Sequence, residues 1–320
     1  MSAMTHDEVV ASPAARAGSG LAVALVSAAS FGLSGPLATG LLATGWSPGA
    51  LVLVRVGVAA LVLTPLGLRS LRGRAGVVRR SLRLVLVYGV LAVAACQFCY
   101  FSAVQRLDVG LALLIEYTSP VAILTWLWLR HGHRPGRLTL LGTALSVTGL
   151  VLVLDLVGGV SPDAVGVLWA LAAMVGGACY FLGNADASTG LPPLALAWLG
   201  LLVGTVLLAL LGLVGIMPLD ADGSDVLLAG ARTPWWVPVL ALGVVTAALA
   251  YGSGVVAGRL LGARLASFVA LSEVLAGVLF AWLLLDQLPH AIQLLGGLLV
   301  LTGVVTVKAG EGRGRLRGVR

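Results

Sequence analysis

Long apolar stretches alternate with short polar connections along almost the whole chain. A helix needs about 20 predominantly apolar residues to cross a bilayer. Charged residues and Gly or Pro breaks set the limits of ten such stretches. The predicted spans are 21–42, 48–68, 84–104, 109–129, 138–156, 165–184, 193–216, 235–258, 265–285 and 292–307. The pattern predicts an all-α integral membrane protein with ten transmembrane helices.

Composition excludes a soluble domain. Of the 320 residues, 59% are hydrophobic and 10% are charged, whereas soluble domains carry roughly 25% charged residues. A net charge of +7 is also found in nucleic-acid-binding proteins, but here the basic residues lie in short connections between apolar stretches. We therefore expect no nucleic-acid partner. The expected partners are the lipid bilayer and a small-molecule substrate.

The basic residues also predict orientation. When the connections are assigned alternately to two sides, one side receives 17 Lys and Arg residues and the other only Arg106 and Arg232. Arg55 is the one basic residue left inside a span. Because cytoplasmic connections are enriched in Lys and Arg, both termini are predicted to be cytoplasmic. The expected location is the inner (plasma) membrane.

An internal repeat relates the two halves of the chain. A shift of 154 positions superimposes the fourth and fifth spans on the ninth and tenth without a gap, matching Trp128 with Trp282 and Pro135 with Pro289. Five helices per copy would insert the second copy in the opposite direction. The predicted organisation is a cytoplasmic tail (1–18), two inverted five-helix repeats (19–157 and 163–308) and a basic cytoplasmic tail (309–320). Such inverted repeats are common in secondary transporters that work by alternating access.

Several short motifs carry a family resemblance. They are Pro48 with Arg55, Tyr100-Phe101-Ser102-Ala103, Glu116-Tyr117-Thr118-Ser119-Pro120, Ser272-Glu273 and the stretch 288–303. In order and spacing the chain resembles the ten-helix EamA-type members of the drug/metabolite transporter superfamily. It departs from them at Val274, where Pro is common, and at Asp286, where Glu is usual. The resemblance implies a transporter and not an enzyme, and the motif around Glu116 most resembles exporters of amino acids.

Three ionisable residues fall inside predicted spans, where each costs at least about 2.5 kcal/mol on insertion scales. Arg55 and Glu116 each lie seven residues into their helices, at equal depth. An Arg55–Glu116 contact would be either a structural ion pair or the border of a substrate cavity. There, Arg55 would receive a carboxylate in bidentate fashion and Glu116 an ammonium or a proton. Glu273 lies near the midplane without a basic partner in sequence, so Glu116 and Glu273 are the candidates for proton coupling.

Other residues complete the predicted site. Tyr100, Tyr117, Tyr180 and Tyr251 fall in the same middle zones and are candidates for the cavity wall, although plain packing explains any single one. Pro36 and Pro120 interrupt spans and are candidate hinges, because proline frees a backbone carbonyl. His131 and His133 have too few neighbouring ligands for a metal site. No metal or cofactor is expected.

The function predicted from sequence is a secondary transporter that exports an amino acid or similar metabolite. Uptake, or efflux of another solute such as a drug cation, stays open as an alternative. A membrane-embedded enzyme or lipid-handling scaffold is the alternative of another class, and it would require clustered catalytic His, Asp or Ser residues at a membrane face. Two inverted halves within one chain could work as a monomer.

Overall fold

A computed structural model describes residues 13–119, 136–153, 162–185 and 188–317. These residues are almost entirely helical. The α-helices are α1 (Pro13–Gly32), α2 (Ser34–Leu42), α3 (Pro48–Ser70), α4 (Ala75–Arg80), α5 (Leu82–Val87), α6 (Cys96–Val104), α7 (Val109–Glu116), α8 (Arg137–Val153), α9 (Ala164–Ala185), α10 (Pro193–Leu213), α11 (Trp236–Gly243), α12 (Ala250–Val269), α13 (Ser272–Leu285) and α14 (Ala291–Arg317). Two π-helical segments, π1 (Tyr88–Ala95) and π2 (Val244–Leu249), connect α5 to α6 and α11 to α12.

Six helical stretches are long and apolar enough to cross a membrane: Gly18–Leu42, Pro48–Ser70, Leu82–Val104, Ala164–Asn184, Pro193–Leu213 and Trp236–Ala257. Shorter apolar helices cover Leu140–Leu152, Ser272–Leu285 and Ala291–Val307. The predicted fourth span is described only as far as residue 119, so Pro120 and the rest of that span lie outside the described residues. The chain is a multi-pass membrane protein, whereas the count of ten spans and the cytoplasmic termini stay predictions.

Many large apolar side chains lie on the outside of the molecule, and small ones pack between helices inside it. Leu61, Leu168 and Leu213 expose 73%, 65% and 81% of their surface. By contrast, alanines such as Ala38, Ala59 and Ala173 are fully buried between helices. This is the arrangement expected of helices packed in lipid, where small interfacial residues let backbones approach closely.

The two π segments occupy equivalent positions in the two repeats. Gln97 and Tyr251 are separated by 154 residues. The same shift moves π1 to residues 242–249, a range that contains all of π2. The sequence comparison detected this shift only in the fourth, fifth, ninth and tenth spans. The structure extends it to the third and eighth spans, which contain the π segments.

Contacts between the repeats are reciprocal, as two-fold symmetry requires. If residue i touches j, then the equivalent of j touches the equivalent of i. The equivalent residues are 146 positions apart in the first span, 145 in the second and 154 in the later ones. Four pairs of contacts obey this rule: Gly89–Val203 with Gly243–Val58, Gly20–Leu261 with Gly166–Leu107, Gly142–Gly303 with Gly149–Gly296, and Cys96–Ala173 with Ser27–Ala250. The two halves therefore share one backbone framework.

The crossing of α8 with α14 fixes the relative direction of the halves. A Cβ at Gly142 would lie 2.6 Å from the Gly303 carbonyl oxygen, and one at Gly149 would lie 2.6 Å from that of Gly296. A residue nearer the C-terminus of α8 therefore contacts a residue nearer the N-terminus of α14, so these two equivalent helices run antiparallel. Equivalent helices that are antiparallel are what inverted repeats require.

The structure corrects the predicted boundary between the eighth and ninth spans. The predicted connection around residues 259–264 is helical, because α12 continues to Val269. The helix breaks instead at Ala270 and Leu271, before α13 begins at Ser272. Neither break residue is Gly or Pro, so no helix-breaking residue in the sequence indicated a break there. The first repeat breaks at the equivalent place, since α7 ends at Glu116 and a turn follows.

A short β-hairpin is the one departure from the all-α prediction among the described residues. Strands β1 (Val226–Leu228) and β2 (Ala231–Thr233) pair antiparallel. The segment that contains the hairpin holds the ends of several helices together. Ala229 N–H donates to the Leu284 carbonyl (2.9 Å), and the Trp46 indole N–H donates to the Asp222 carbonyl (2.7 Å).

Candidate functional site

Polar side chains from both repeats meet in the middle of the helix bundle. They come from α3, α6, α7, α9 and α12, together with the first turn of α13. Arg55, Gln97, Tyr100 and Tyr251 are each at least 94% buried. Glu116, Tyr117, Tyr180 and Glu273 are only half-buried, although they lie among the same helices. We call these eight residues the central cluster.

The Arg55 side chain binds a backbone carbonyl group of the opposite repeat. Its Nη2 donates to the Thr246 carbonyl of π2 (2.9 Å), and its guanidinium carbon lies 5.3 Å from the centre of the Phe101 ring. The contact with Glu116 that the sequence allowed is not an ion pair: among the described residues, the ion pair within 4.0 Å is Arg106–Asp163. Equal depth along two helices does not specify the direction in which each side chain points.

Arg55 retains unused hydrogen-bonding capacity. Guanidinium carries five N–H donors, and Nε is buried without a partner among the described residues. The Oε1 of Gln97 is also buried without a partner in that part of the chain. A buried polar atom left unpaired costs about 1–3 kcal/mol. Two such atoms lie in one cluster, which makes the cluster a candidate binding site.

Glu116 is the last residue of α7. The Cys96 thiol donates to its Oε1 at 3.5 Å, and Gly177 of α9 lies beside its Cγ. Thr118, in the turn that follows, donates its hydroxyl to the Ile115 carbonyl (2.6 Å) and so satisfies part of the helix end. Glu116 therefore sits at the carbonyl end of a helix that stops inside the bundle.

Glu273 lies at the N-terminal end of its helix, whereas Glu116 lies at the C-terminal end of α7. It lies in the first turn of α13, and Tyr117 donates its hydroxyl to Oε2 at 2.6 Å. The helix dipole there is positive and favours a carboxylate. The sequence predicted a position eight to ten residues inside a continuous helix. Glu273 instead lies half-buried at a helix break and is tied to the first repeat through Tyr117.

Aromatic residues form a wall beside these carboxyls. Tyr251 accepts a hydrogen bond from Gln97 Nε2 (3.1 Å), and its ring packs edge-on against Phe31 (5.0 Å between centroids) and Tyr180 (6.1 Å). Tyr180 in turn lies 5.9 Å from Tyr88. Tyr88, whose hydroxyl accepts from Asn184 Nδ2 (3.3 Å), extends this wall.

Tyr100 and Pro36 lie at the edge of the cluster. The Tyr100 hydroxyl is near Ser34 but makes no hydrogen bond of standard geometry with the described residues. A Cβ at Gly35 would overlap this hydroxyl. Pro36 lies in the first turn of α2, just after α1 ends at Gly32. Gly32 packs directly on Gly277 of α13, so this break in the first span lies against the second repeat.

The sequence did not identify Gln97 of the cluster or several residues beside the cluster. Gln97, Thr246, Cys96, Tyr88 and Asn184 are neutral, and neutral residues attract little notice inside a span. One signal was available for Gln97. It is separated from Tyr251 by 154 positions, the same shift that relates the repeats, so the two lie on the symmetry axis.

Comparison with known proteins identifies a family. The model of the EamA-like transporter family matches residues 18–155 and 164–308. One solved crystal structure is similar over 89% of this chain and 96% of that chain, with a TM-score of 0.60. Its sequence identity of 20% supports a common fold alone. No curated protein matches the chain significantly.

Proposed function

The chain belongs to the EamA-like transporter family, and on that premise we propose that it is a secondary transporter that exports an amino acid or similar zwitterionic metabolite. The family confirms the resemblance found in the sequence and makes the chain a membrane transporter of small solutes. The substrate class, the outward direction, the inner-membrane location and the alternating-access mechanism are the proposal.

The reciprocal contacts support alternating access. Two halves that share one framework and run antiparallel have two equivalent ways to pack, one opening to each side. The central cluster lies where the halves meet, with Arg55, Tyr117 and Gln97 each bonded across the boundary. Rocking one half against the other would therefore change the access to the cluster while its residues stay near the centre.

Broken helices support the location of the substrate site. Helix breaks after Glu116 and before Ser272 occupy equivalent places in the two repeats. Secondary transporters bind substrates near the midplane at such discontinuous helices, because their free ends present uncompensated backbone groups. Both carboxyls of the central cluster stand at these ends.

The unused donor of Arg55 is the observation that carries the choice of substrate. A solute carboxylate would pair with Nε, while Nη2 remains on the Thr246 carbonyl. The ammonium of the same solute would then bind Glu273, which Tyr117 holds in place. A zwitterion satisfies both groups. A bare drug cation, the alternative from the sequence, would leave the arginine unpaired.

We assign proton coupling to Glu116. It lies at the carbonyl end of α7, where the helix dipole opposes a fixed negative charge. The neighbouring Cys96 thiol is a weak donor that offers a carboxylate little support. A carboxyl in this setting is suited to taking up and releasing a proton during each cycle.

The test is flux in proteoliposomes. Labelled amino acids are compared with analogues that lack the carboxylate (amides) or the ammonium (N-acyl derivatives), on wild type, Arg55→Lys and the exposed control Arg72→Lys. Wild type and Arg72→Lys should prefer the zwitterion at least ~10-fold, the effect of one charged hydrogen bond. Arg55→Lys should lose the preference over the amide, because lysine lacks the guanidinium fork.

The same preparation tests coupling. A pH gradient should accelerate flux in wild type and leave Glu116→Gln unaffected, while Glu116→Gln still exchanges solute without a gradient. Equal flux of zwitterion and amide through wild type would refute the assigned substrate. A full response to the gradient in Glu116→Gln would refute the assigned proton site.

A further inference from the structure

A cavity lies at the side of the bundle, and none of the eight central-cluster residues lines it. Its volume is about 260 Å³, and its walls come from the start of α7, from α13 and from the start of α14. We call it the lateral pocket. Leu275, Leu294 and Leu298 line it and expose 60%, 52% and 62% of their surface. Because such exposed leucines face lipid in a membrane protein, the pocket opens toward the bilayer.

Polar residues are confined to one end of the lateral pocket. Asp108, Gln287 and Gln293 are the polar side chains among its lining residues, and Asp108 is the charged one. The Val109 N–H donates to Gln287 Oε1 (3.3 Å), which places Asp108 and Gln287 side by side. The rest of the lining is apolar. The pocket thus has the two-part chemistry of a lipid: a polar end and an apolar depth.

The hydrogen bonds at this end determine what the polar groups offer. Gln287 Oε1 is occupied by Val109 N–H, and Gln293 Oε1 by His290 N–H (2.9 Å). Both amides therefore present Nε2, which has no partner among the described residues. Asp108 is exposed, makes no side-chain bond to α7 and has no ion pair in the same part of the chain. The end offers one carboxylate and two amide donors.

We propose that the lateral pocket binds a phospholipid with an ethanolamine headgroup. One acyl chain occupies the apolar depth, the ammonium binds Asp108, and the phosphate accepts hydrogen bonds from Gln287 and Gln293. Phosphatidylglycerol has no ammonium for Asp108 and carries a net negative charge, so it binds more weakly. The lipid contacts α7 of the first repeat and both α13 and α14 of the second, whichever solute is carried.

The test is native mass spectrometry of the full chain released from nanodiscs of equal phosphatidylethanolamine and phosphatidylglycerol with identical acyl chains. Wild type should retain one phosphatidylethanolamine. Leu298→Trp fills the pocket and should lose it, while Leu61→Trp, on the lipid face of α3, should keep it. Asp108→Asn should reduce the preference for ethanolamine about fivefold, the size of one exposed charge contact, and Asp225→Asn should not.

Two results would overturn the proposal. One is equal retention of the two lipids by wild type. The other is the same retained lipid in Leu298→Trp as in Leu61→Trp. If Leu298→Trp does not fold, the comparison of Asp108→Asn with Asp225→Asn decides, since both residues are exposed and neither change alters packing.

Discussion

The two repeats differ in their chemistry far more than in their backbone. Glycine contacts, π segments and helix breaks all recur at equivalent positions. The central cluster does not. The 154-residue shift places Tyr100 opposite Gly254, Tyr117 opposite Leu271, Glu116 opposite Ala270 and Glu273 opposite Ser119. Duplication thus preserved the backbone framework, while the side chains of the central cluster diverged.

The position of Arg55 shows how one framework accommodates this divergence. Pro48 and Pro193 each begin a helix, and aligning them places Gly200 opposite Arg55. A Cβ at Gly200 would lie 2.6 Å from Tyr88 Cδ1, so the Tyr88 ring fills space beside Gly200. The first repeat therefore places the Arg55 cation at the centre. At the equivalent position the second repeat has Gly200, which leaves space for the Tyr88 ring. A site with this asymmetry can orient a zwitterion.

The shared framework predicts equal damage from equivalent substitutions. Gly149→Ala and Gly303→Ala each force a Cβ to within 2.6 Å of a backbone atom across the α8–α14 crossing. Each should reduce the free energy of unfolding by about 1–3 kcal/mol, because overpacking separates the two helices. Thermal unfolding in detergent measures the loss. Gly76→Ala, which meets nothing within 4 Å, is the control, and damage from only one of the pair would contradict the symmetry.

The asymmetric cluster predicts a smaller, one-sided effect on binding. Tyr117→Phe removes the 2.6 Å hydrogen bond to Glu273 and leaves the ring in place. Substrate affinity should fall roughly tenfold, since a hydrogen bond to a charged group contributes about 1.5 kcal/mol. Binding of labelled solute measures this, with unfolding as the check on stability. Unchanged affinity would mean that Glu273 needs no support from Tyr117.

The hairpin segment is absent from the equivalent connection of the first repeat, which contains α4 instead. Trp46→Phe removes the 2.7 Å bond to the Asp222 carbonyl and should cost about 1 kcal/mol or less. The change should appear as faster amide exchange around residues 217–235, with substrate affinity unaltered. A loss of affinity would instead connect this segment to the substrate site.

The sequence predicted the helices and the repeat better than it predicted the contacts within the central cluster. The apolar stretches located the six helices that are long enough to cross a membrane, and the Trp and Pro matches located the repeat, because both are properties of a linear pattern. Equal depth allowed an Arg55–Glu116 contact, but the two side chains form no ion pair, because depth along a helix leaves the direction of a side chain undetermined. The break before Glu273 was missed because Ala270 and Leu271 are ordinary helix residues. The three-residue strands of the hairpin were too short for their alternation to be detected.

The central claim is that equivalent positions of a symmetric framework carry different chemistry, with a binding residue in one repeat and none at its counterpart in the other, and substitution of an equivalent pair tests it most directly. The measurement is exchange of labelled amino acid in proteoliposomes by Glu273→Gln and by Ser119→Ala, its counterpart in the first repeat. We expect Glu273→Gln to lose at least ~10-fold in exchange, the effect of one charged contact, and Ser119→Ala to stay close to wild type. Equal rates in the two variants would contradict the account.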